Sequence, residues 1–141
     1  MTQSLSKLDI ASFLAQVPPF NLLGEAGLRD LADRCQLLRY RIGQQLLVRE
    51  KLPAQVSIVY EGQVRILGYD HRSQKNVSLQ VVGAGEILGW AGLVRGVSCE
   101  IATASSETVC INIPGNDFLQ LIRNKSEFSQ AILQQVSLCE V

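Results

Sequence analysis

The spacing of apolar residues along the chain changes twice. At first the apolar residues recur at helical spacing, which predicts two short amphipathic helices, Leu5–Val17 and Glu25–Cys35, separated by two prolines and a turn. Short apolar runs cut by turn residues follow and predict strands. After Pro114 the helical spacing returns, which predicts a helix beginning there and a further helix extending to Val136. The predicted order is helices, strands, helices.

Seven short strands are predicted in the middle of the chain. The breaks between them contain turn-forming residues such as Gly43, Pro53 and Gly62. Many short strands at this spacing indicate a closed or nearly closed β architecture. The predicted strands are Gln36–Tyr40, Gln44–Val48, Val56–Tyr60, Gln63–Tyr69, Val77–Val82, Glu100–Ala104 and Thr108–Ile113.

Length and composition fit one domain, residues 1–141. With 141 residues, 47% of them hydrophobic, the chain can bury a core without disulfides or metals. Thirteen basic residues balance thirteen acidic ones and no segment concentrates Lys or Arg, which argues against direct nucleic-acid binding. No signal-peptide pattern or membrane-length apolar run is present, which predicts a soluble, cytoplasmic domain. The uncapped helical end suggests that 1–141 is the N-terminal part of a longer polypeptide.

The chemistry-bearing residues do not form a recognisable reactive site. No C-x-x-C pair occurs, which argues against zinc, iron–sulfur or redox chemistry and favours ordinary buried thiols. The single histidine, His71, cannot build the multi-histidine metal site of a cupin enzyme, and no nucleophile–base pair is visible. We therefore expect no catalysis, metal or cofactor in this domain. The four cysteines are Cys35, Cys99, Cys110 and Cys139.

Five segments, in chain order, resemble landmarks of the cyclic nucleotide-binding domain family. They are Phe13–Phe20 (FLAQVPPF), Tyr40–Glu50 (YRIGQQLLVRE), Ile58–Ile66 (IVYEGQVRI), Gly83–Gly89 (GAGEILG) and Ile113–Leu119 (IPGNDFL). The resemblance covers about residues 11–135. It implies a mainly β, α+β fold: an eight-stranded antiparallel β-roll, or jelly roll, with helices before and after it. It also implies a ligand pocket lined by a short helix and a loop between strands.

The segment Leu88–Glu100 (LGWAGLVRGVSCE) resembles the family's phosphate-binding cassette, in which a Glu holds the ribose and an Arg contacts the phosphate. In the direct register Trp90 stands at the Glu position and Cys99 at the Arg position. Neither side chain has the required charge, and Glu100 would repel a phosphate. Trp90 would plug the sugar site or act as a core anchor. The resemblance therefore implies a degenerate ligand pocket formed by Gly89, Trp90, Ala91, Gly92, Cys99 and Glu100.

A second register of the same cassette stays open. Glu86 lies in a Gly-Glu-Ile sequence and Arg95 follows it by nine positions, the family's usual spacing. A cyclic nucleotide would then be held through Glu86 and Arg95. In this register Gly89 and Gly92 match no position of the family's cassette sequence. We therefore favour the direct register, in which Arg95 is a surface residue.

Two further strings suggest a host protein. The cassette string GWAGL and the tail Ser137–Val141 (SLCEV) resemble the N-terminal domain of cyanobacterial ABC exporters that also carry ATPase and cysteine-peptidase domains. This implies a non-catalytic regulatory module at the cytoplasmic face of the membrane. The alternative is the sensor domain of a Crp/Fnr-type transcription regulator.

The same resemblance sets the partners that we expect. They are the following domains of the same polypeptide and a small-molecule ligand, with the C-terminal helices as a candidate homodimer interface. Membrane contact is expected only through a host transporter, and direct nucleic-acid contact is not expected. Cyclic AMP and cyclic GMP are disfavoured as ligands.

Overall fold

Two helices lie ahead of the first strand. α1 spans Lys7–Leu14 and α2 spans Gly24–Arg34, with a 3₁₀ turn, Phe20–Leu23, between them. A capping box starts α1: the Ser6 hydroxyl accepts from the Asp9 N–H, and the Asp9 carboxylate accepts from the Ser6 N–H. Both helices were predicted, although α1 ends earlier than the sequence pattern indicated.

The computed structural model of the chain describes residues 6–49, 51–96 and 101–135. Within these ranges eight strands form two four-stranded antiparallel sheets, ordered β1-β8-β3-β6 and β2-β7-β4-β5. The predicted antiparallel β-roll is therefore confirmed. The strands are β1 Gln36–Tyr40, β2 Gln45–Leu47, β3 Gln55–Glu61, β4 Val64–Asp70, β5 Lys75–Val82, β6 Ile87–Leu88, β7 Ile101–Ala104 and β8 Thr108–Pro114.

Three helices follow β6. α3 (Trp90–Arg95) lies between β6 and β7, and α4 (Gly115–Asn124) and α5 (Ser126–Leu133) follow β8. Pro114 caps α4 and is not its first helical residue, a difference of one position from the prediction. α5 ends at Leu133, earlier than the predicted extension to Val136, which itself lies outside the described residues. No helix in the described ranges is long and apolar enough to cross a membrane.

Alternation along β3 and β8 divides the buried residues into two clusters. Successive side chains of a strand point to opposite faces of the sheet. Ile58 and Ile111 therefore join one cluster, the helix-side core, between the first sheet and the helices. Val59 and Cys110 join the other, the roll interior, between the two sheets. The two clusters give the molecule two layers of packing.

The helices are joined to one another by aromatic and polar contacts. Phe128 packs against Phe20 and Phe118, with ring centroids 5.3 and 5.7 Å apart. Arg34 of α2 donates to the Asp117 carboxylate of α4 at 2.8 Å. These contacts join helices from both ends of the described chain.

Two of the predicted thiols can be located. Cys35 and Cys110 are buried and form no disulfide, as the sequence predicted. Burial raises the pKa of each thiol to about 12. Cys99 and Cys139 lie outside the described residues. Within the described ranges no group of His, Cys, Asp and Glu side chains could hold a metal ion.

The turn between β3 and β4 requires glycine. Gly62 has a φ of +104°, and a Cβ added there would lie 2.5 Å from the Glu107 carbonyl oxygen and 2.6 Å from the Thr108 hydroxyl. The β7–β8 turn thus approaches the main chain at Gly62 closely. The predicted hairpin glycine is present for a steric reason as well as a conformational one.

Candidate ligand-binding site

The segment Gly83–Gly96, which contains the described part of the candidate cassette, is anchored on β3. The Gly85 N–H donates to the Val59 carbonyl at 2.8 Å, and the Val59 N–H donates to the Glu86 carbonyl at 3.0 Å. β6 then pairs with β3, with Leu88 opposite Ser57. The segment therefore enters α3 from the edge of the first sheet.

Left-handed glycines lie at both ends of α3. Gly89 immediately precedes the helix with a φ of +88°, and Gly96 follows it with a φ of +72°. A Cβ added at Gly89 would lie 3.1 Å from the Gln55 carbonyl oxygen, so a side chain there would press on β3. Glycine at position 89 is thus needed both for its conformation and for the close approach to β3.

The first residues of α3 are buried. The Trp90 side chain is 4% exposed and belongs to the helix-side core, as does Ala91. Gly92 is also buried. The sequence left open whether Trp90 plugs a sugar site or anchors a core. Its membership of the helix-side core favours the anchor.

Of the two residues of the alternative register, Glu86 precedes β6 and Arg95 is the last residue of α3. Glu86 is in the turn before β6, and partial burial raises the pKa of its carboxyl. Arg95 is exposed at the last position of α3. β6 and most of α3 lie between them along the chain. Cys99 and Glu100, the remaining predicted pocket residues, lie outside the described residues.

A row of four neighbouring residues, three of them polar, crosses the inner face of the first sheet and ends at the cassette. Strand register places Gln36, Asn112, Ser57 and Leu88 side by side on β1, β8, β3 and β6. Asn112 and Ser57 are 1% and 5% exposed, and Leu88 belongs to the roll interior. The row therefore brings two buried polar side chains next to the strand that leads into α3.

Asn112 is the unusual member of this row. Neither its amide nitrogen nor its amide oxygen has a hydrogen-bond partner of standard geometry in the described part of the protein. Burial raises the pKa of Tyr40, and the Asn112 amide offsets part of that rise, which places the two side chains near each other. Sequence reasoning missed Asn112. The available signal was its spacing of two residues from Cys110, which puts both side chains on the same face of a strand.

The family model for the cyclic nucleotide-binding domain matches residues 37–125, more than half of the chain. This chain belongs to the cyclic nucleotide-binding domain family. The match begins at the second residue of β1 and ends directly after α4, so it includes nearly all of the β-roll and the cassette. No curated protein sequence matches this domain.

Solved structures support the same fold. A cyclic nucleotide-binding-like protein from Brucella abortus is 25% identical, with 82% of this chain and 99% of that one covered and a TM-score of 0.67. The regulatory subunit of a cAMP-independent protein kinase A from Trypanosoma brucei is 16% identical, with 95% and 48% covered and a TM-score of 0.79. The sensor domain of the transcriptional regulator DNR from Pseudomonas aeruginosa is 14% identical, with 90% and 85% covered and a TM-score of 0.78.

This cyclic nucleotide-binding domain is shorter than many of its structural relatives. It spans between 48% and 57% of the length of several solved structures that it matches. Structures that share this fold include proteins described by name as a regulatory domain of a protein kinase A and the sensor domain of a transcriptional regulator.

In the part of the chain that the structure describes, the buried polar groups are uncharged. Among the described residues the buried polar side chains are Ser57, Thr108 and Asn112. The Thr108 hydroxyl is already engaged with the carbonyls of Gln63 and Ser106, at 3.1 and 2.9 Å. Burying a phosphate without a positive charge costs several kcal/mol. These groups suit hydrogen bonding to a neutral ligand better than charge pairing with a phosphate.

Proposed function

We propose that this domain is a non-catalytic regulatory module whose pocket does not hold a cyclic nucleotide. The burial of Trp90 carries the proposal. In the direct register Trp90 takes the place of the Glu that holds the ribose, and its indole is built into the helix-side core. A side chain that packs the core is not available to bind a ribose, and an indole has no acceptor for the ribose hydroxyl.

The charges along the cassette support the same proposal. By sequence, residues 97–100 are Val, Ser, Cys and Glu, and none of them is basic. The buried polar side chains in the described ranges are neutral. Arg95 is the cassette's basic residue, and it lies exposed at the end of α3. A phosphate placed inside the roll would lack the charge-assisted hydrogen bond that an Arg supplies.

The fold is compatible with regulation that does not use cyclic AMP. The Trypanosoma brucei relative is described by name as the regulatory subunit of a cAMP-independent kinase. By analogy, this domain would transmit a different signal, or a docking event, through α4 and α5. That signal would reach the domains that follow it in the host polypeptide.

For the host we propose an ABC-type peptide or protein exporter, with this domain as its N-terminal regulatory module. The support is the resemblance of the GWAGL string and the Ser137–Val141 tail to such exporters. The reading frame downstream tests it. A cysteine-peptidase motif and a Walker A motif are expected there. A basic helix-turn-helix in their place would overturn the exporter assignment.

The test of the ligand proposal is isothermal titration of the isolated chain with cyclic AMP, cyclic GMP and cyclic dinucleotides. No saturable binding at micromolar concentration is expected. Micromolar affinity for cyclic AMP would overturn the proposal. Repeating the titration with Arg95→Ala and with Glu86→Gln would then identify the register, because both changes abolish binding only in the alternative one.

The second candidate is the sensor domain of a Crp/Fnr-type transcription regulator, with a cyclic nucleotide held through Glu86 and Arg95. The likeness to the DNR sensor domain, with a TM-score of 0.78, favours this host. The location of Glu86 argues against its binding a cyclic nucleotide, because Glu86 precedes β6 while the cassette helix begins only at Trp90. A basic recognition helix encoded after Val141 would favour this candidate.

A further inference from the structure

The inner face of the first sheet carries a polar pair whose position suggests a binding role. Asn112 and Ser57 are cross-strand partners on β8 and β3, and both are more than nine-tenths buried. Their strand neighbours Ile111, Ile113, Val56 and Ile58 all belong to the helix-side core. By alternation, Asn112 and Ser57 point the other way, into the roll interior.

The surroundings of Asn112 define the chemistry that it could recognise. Apart from Tyr40, which packs against it and lies near the Asn112 amide, the roll interior is apolar and includes Val59, Leu88 and Cys110. A buried amide without partners costs free energy, and native proteins satisfy nearly all such groups. The Asn112 amide offers one acceptor and a donor pair side by side. Its complement is a neutral group that presents an adjacent N–H and C=O.

The position of the pair connects it to the cassette. Ser57 lies opposite Asn112 on one side and opposite Leu88 on the other. Leu88 directly precedes Gly89, where α3 begins. β6 contains only two residues, so its own pairing with β3 is short, and two further main-chain hydrogen bonds join Val59 to Gly85 and Glu86 just before it. A local opening at β6 would expose the polar pair from the cassette side.

We infer that the roll interior binds a small, uncharged, largely apolar ligand with an amide- or lactam-like edge, recognised by Asn112 with Ser57 beside it. The inference rests on the proposed function, since it names the ligand class of the same pocket. The proposed ligand would make its polar contact with the carboxamide of Asn112 on β8, and its binding would require no positively charged side chain. Binding would order β6 and α3 over the ligand.

The probe for this inference is 2-pyridone, a neutral ring with adjacent N–H and C=O groups. N-methyl-2-pyridone is the matched control, because it keeps the ring and the carbonyl but lacks the donor. Each compound is titrated to millimolar concentration into ¹⁵N-labelled chain, and the Asn112 side-chain amide signals are followed by NMR. The signals are assigned by their loss in Asn112→Leu.

We expect a saturable shift of the Asn112 amide signals with 2-pyridone and roughly tenfold weaker binding of the N-methyl compound, the loss associated with one hydrogen bond. Asn112→Leu should abolish saturable shifts elsewhere in the roll interior. Gln36→Leu, which removes an exposed amide from the same row, should leave binding unchanged. Absence of a saturable shift, or equal binding of both compounds, overturns the inference.

The two proposals fail in different ways. Binding of cyclic AMP would overturn the proposed function whatever 2-pyridone does. If neither cyclic AMP nor 2-pyridone binds, the lactam site is wrong while the regulatory module without a cyclic nucleotide stands.

Discussion

Replacing Trp90 tests whether α3 is anchored in the helix-side core. A buried aromatic side chain removes about 150–250 Å² from water. At about 25 cal/mol per Å² this corresponds to about 4–6 kcal/mol, an upper bound because the unfolded chain is not fully extended. With Trp90 only 4% exposed, we expect Trp90→Ala to lower the free energy of unfolding by about 3–5 kcal/mol.

The substitution Trp90→Glu adds a pH dependence to this test. A carboxyl buried at this position would have its pKa raised by desolvation. The folded state would then hold the proton more tightly than the unfolded state does. Stability is therefore retained below the unfolded pKa of about 4.3 and lost as the pH rises through the folded pKa. Relative to Trp90→Gln, the Glu variant should be less stable at pH 8 than at pH 5.

Urea unfolding followed by far-UV circular dichroism measures both effects. Tryptophan fluorescence cannot be used, because the substitutions remove Trp90, the chain's single tryptophan. Ile42→Ala is the control: Ile42 is 70% exposed, and its removal should change stability by no more than about 0.5 kcal/mol. A loss below about 1 kcal/mol for Trp90→Ala would refute the anchor and favour a residue that fills a ligand pocket.

Three other predictions follow from the packing. Gly62→Ala should lower the free energy of unfolding by more than about 2 kcal/mol, because the new Cβ would meet both a positive φ and the main chain. Gly43→Ala, where φ is also positive but the space is open, should lower it by about 1 kcal/mol. Equal decreases in urea unfolding would contradict the close approach at Gly62. The thiols of Cys35 and Cys110 should not react with an aromatic disulfide reagent in the native protein at pH 8, with the other two cysteines changed to serine. Because the pKa of each is raised to about 12, their contribution to stability should persist to about pH 9 and be lost towards pH 12. Asn112→Leu should leave the midpoint of thermal unfolding unchanged or raise it, since it removes a buried amide without partners; a clear decrease would show that the amide is bonded.

Much of the fold could be predicted because it depends on local patterns. The helical spacing before and after the strands, and the turn residues between them, placed seven strands and the flanking helices within a few residues. β6 was not found by pattern, since two residues are too short to show a period. The family resemblance supplied the eighth strand and the short helix that follows it.

The candidate site was less predictable because it depends on which face of the sheet a residue occupies. The sequence identified Trp90 and Cys99 as departures from the family cassette, but the burial of Trp90 in the helix-side core was needed to favour an anchor. Asn112 was passed over within an apolar run. Its position beside Ser57 became visible only through the register of β8 with β3.

By itself, the sequence determined the class of fold, the order of its elements and the absence of the family's Glu and Arg from the direct register. These features follow from residue type and spacing, which are local. The tertiary structure decided that Trp90 packs with the helices and that two polar side chains meet inside the roll. Those outcomes depend on strand register, and a shift of one residue would have turned every side chain of a strand to the opposite face.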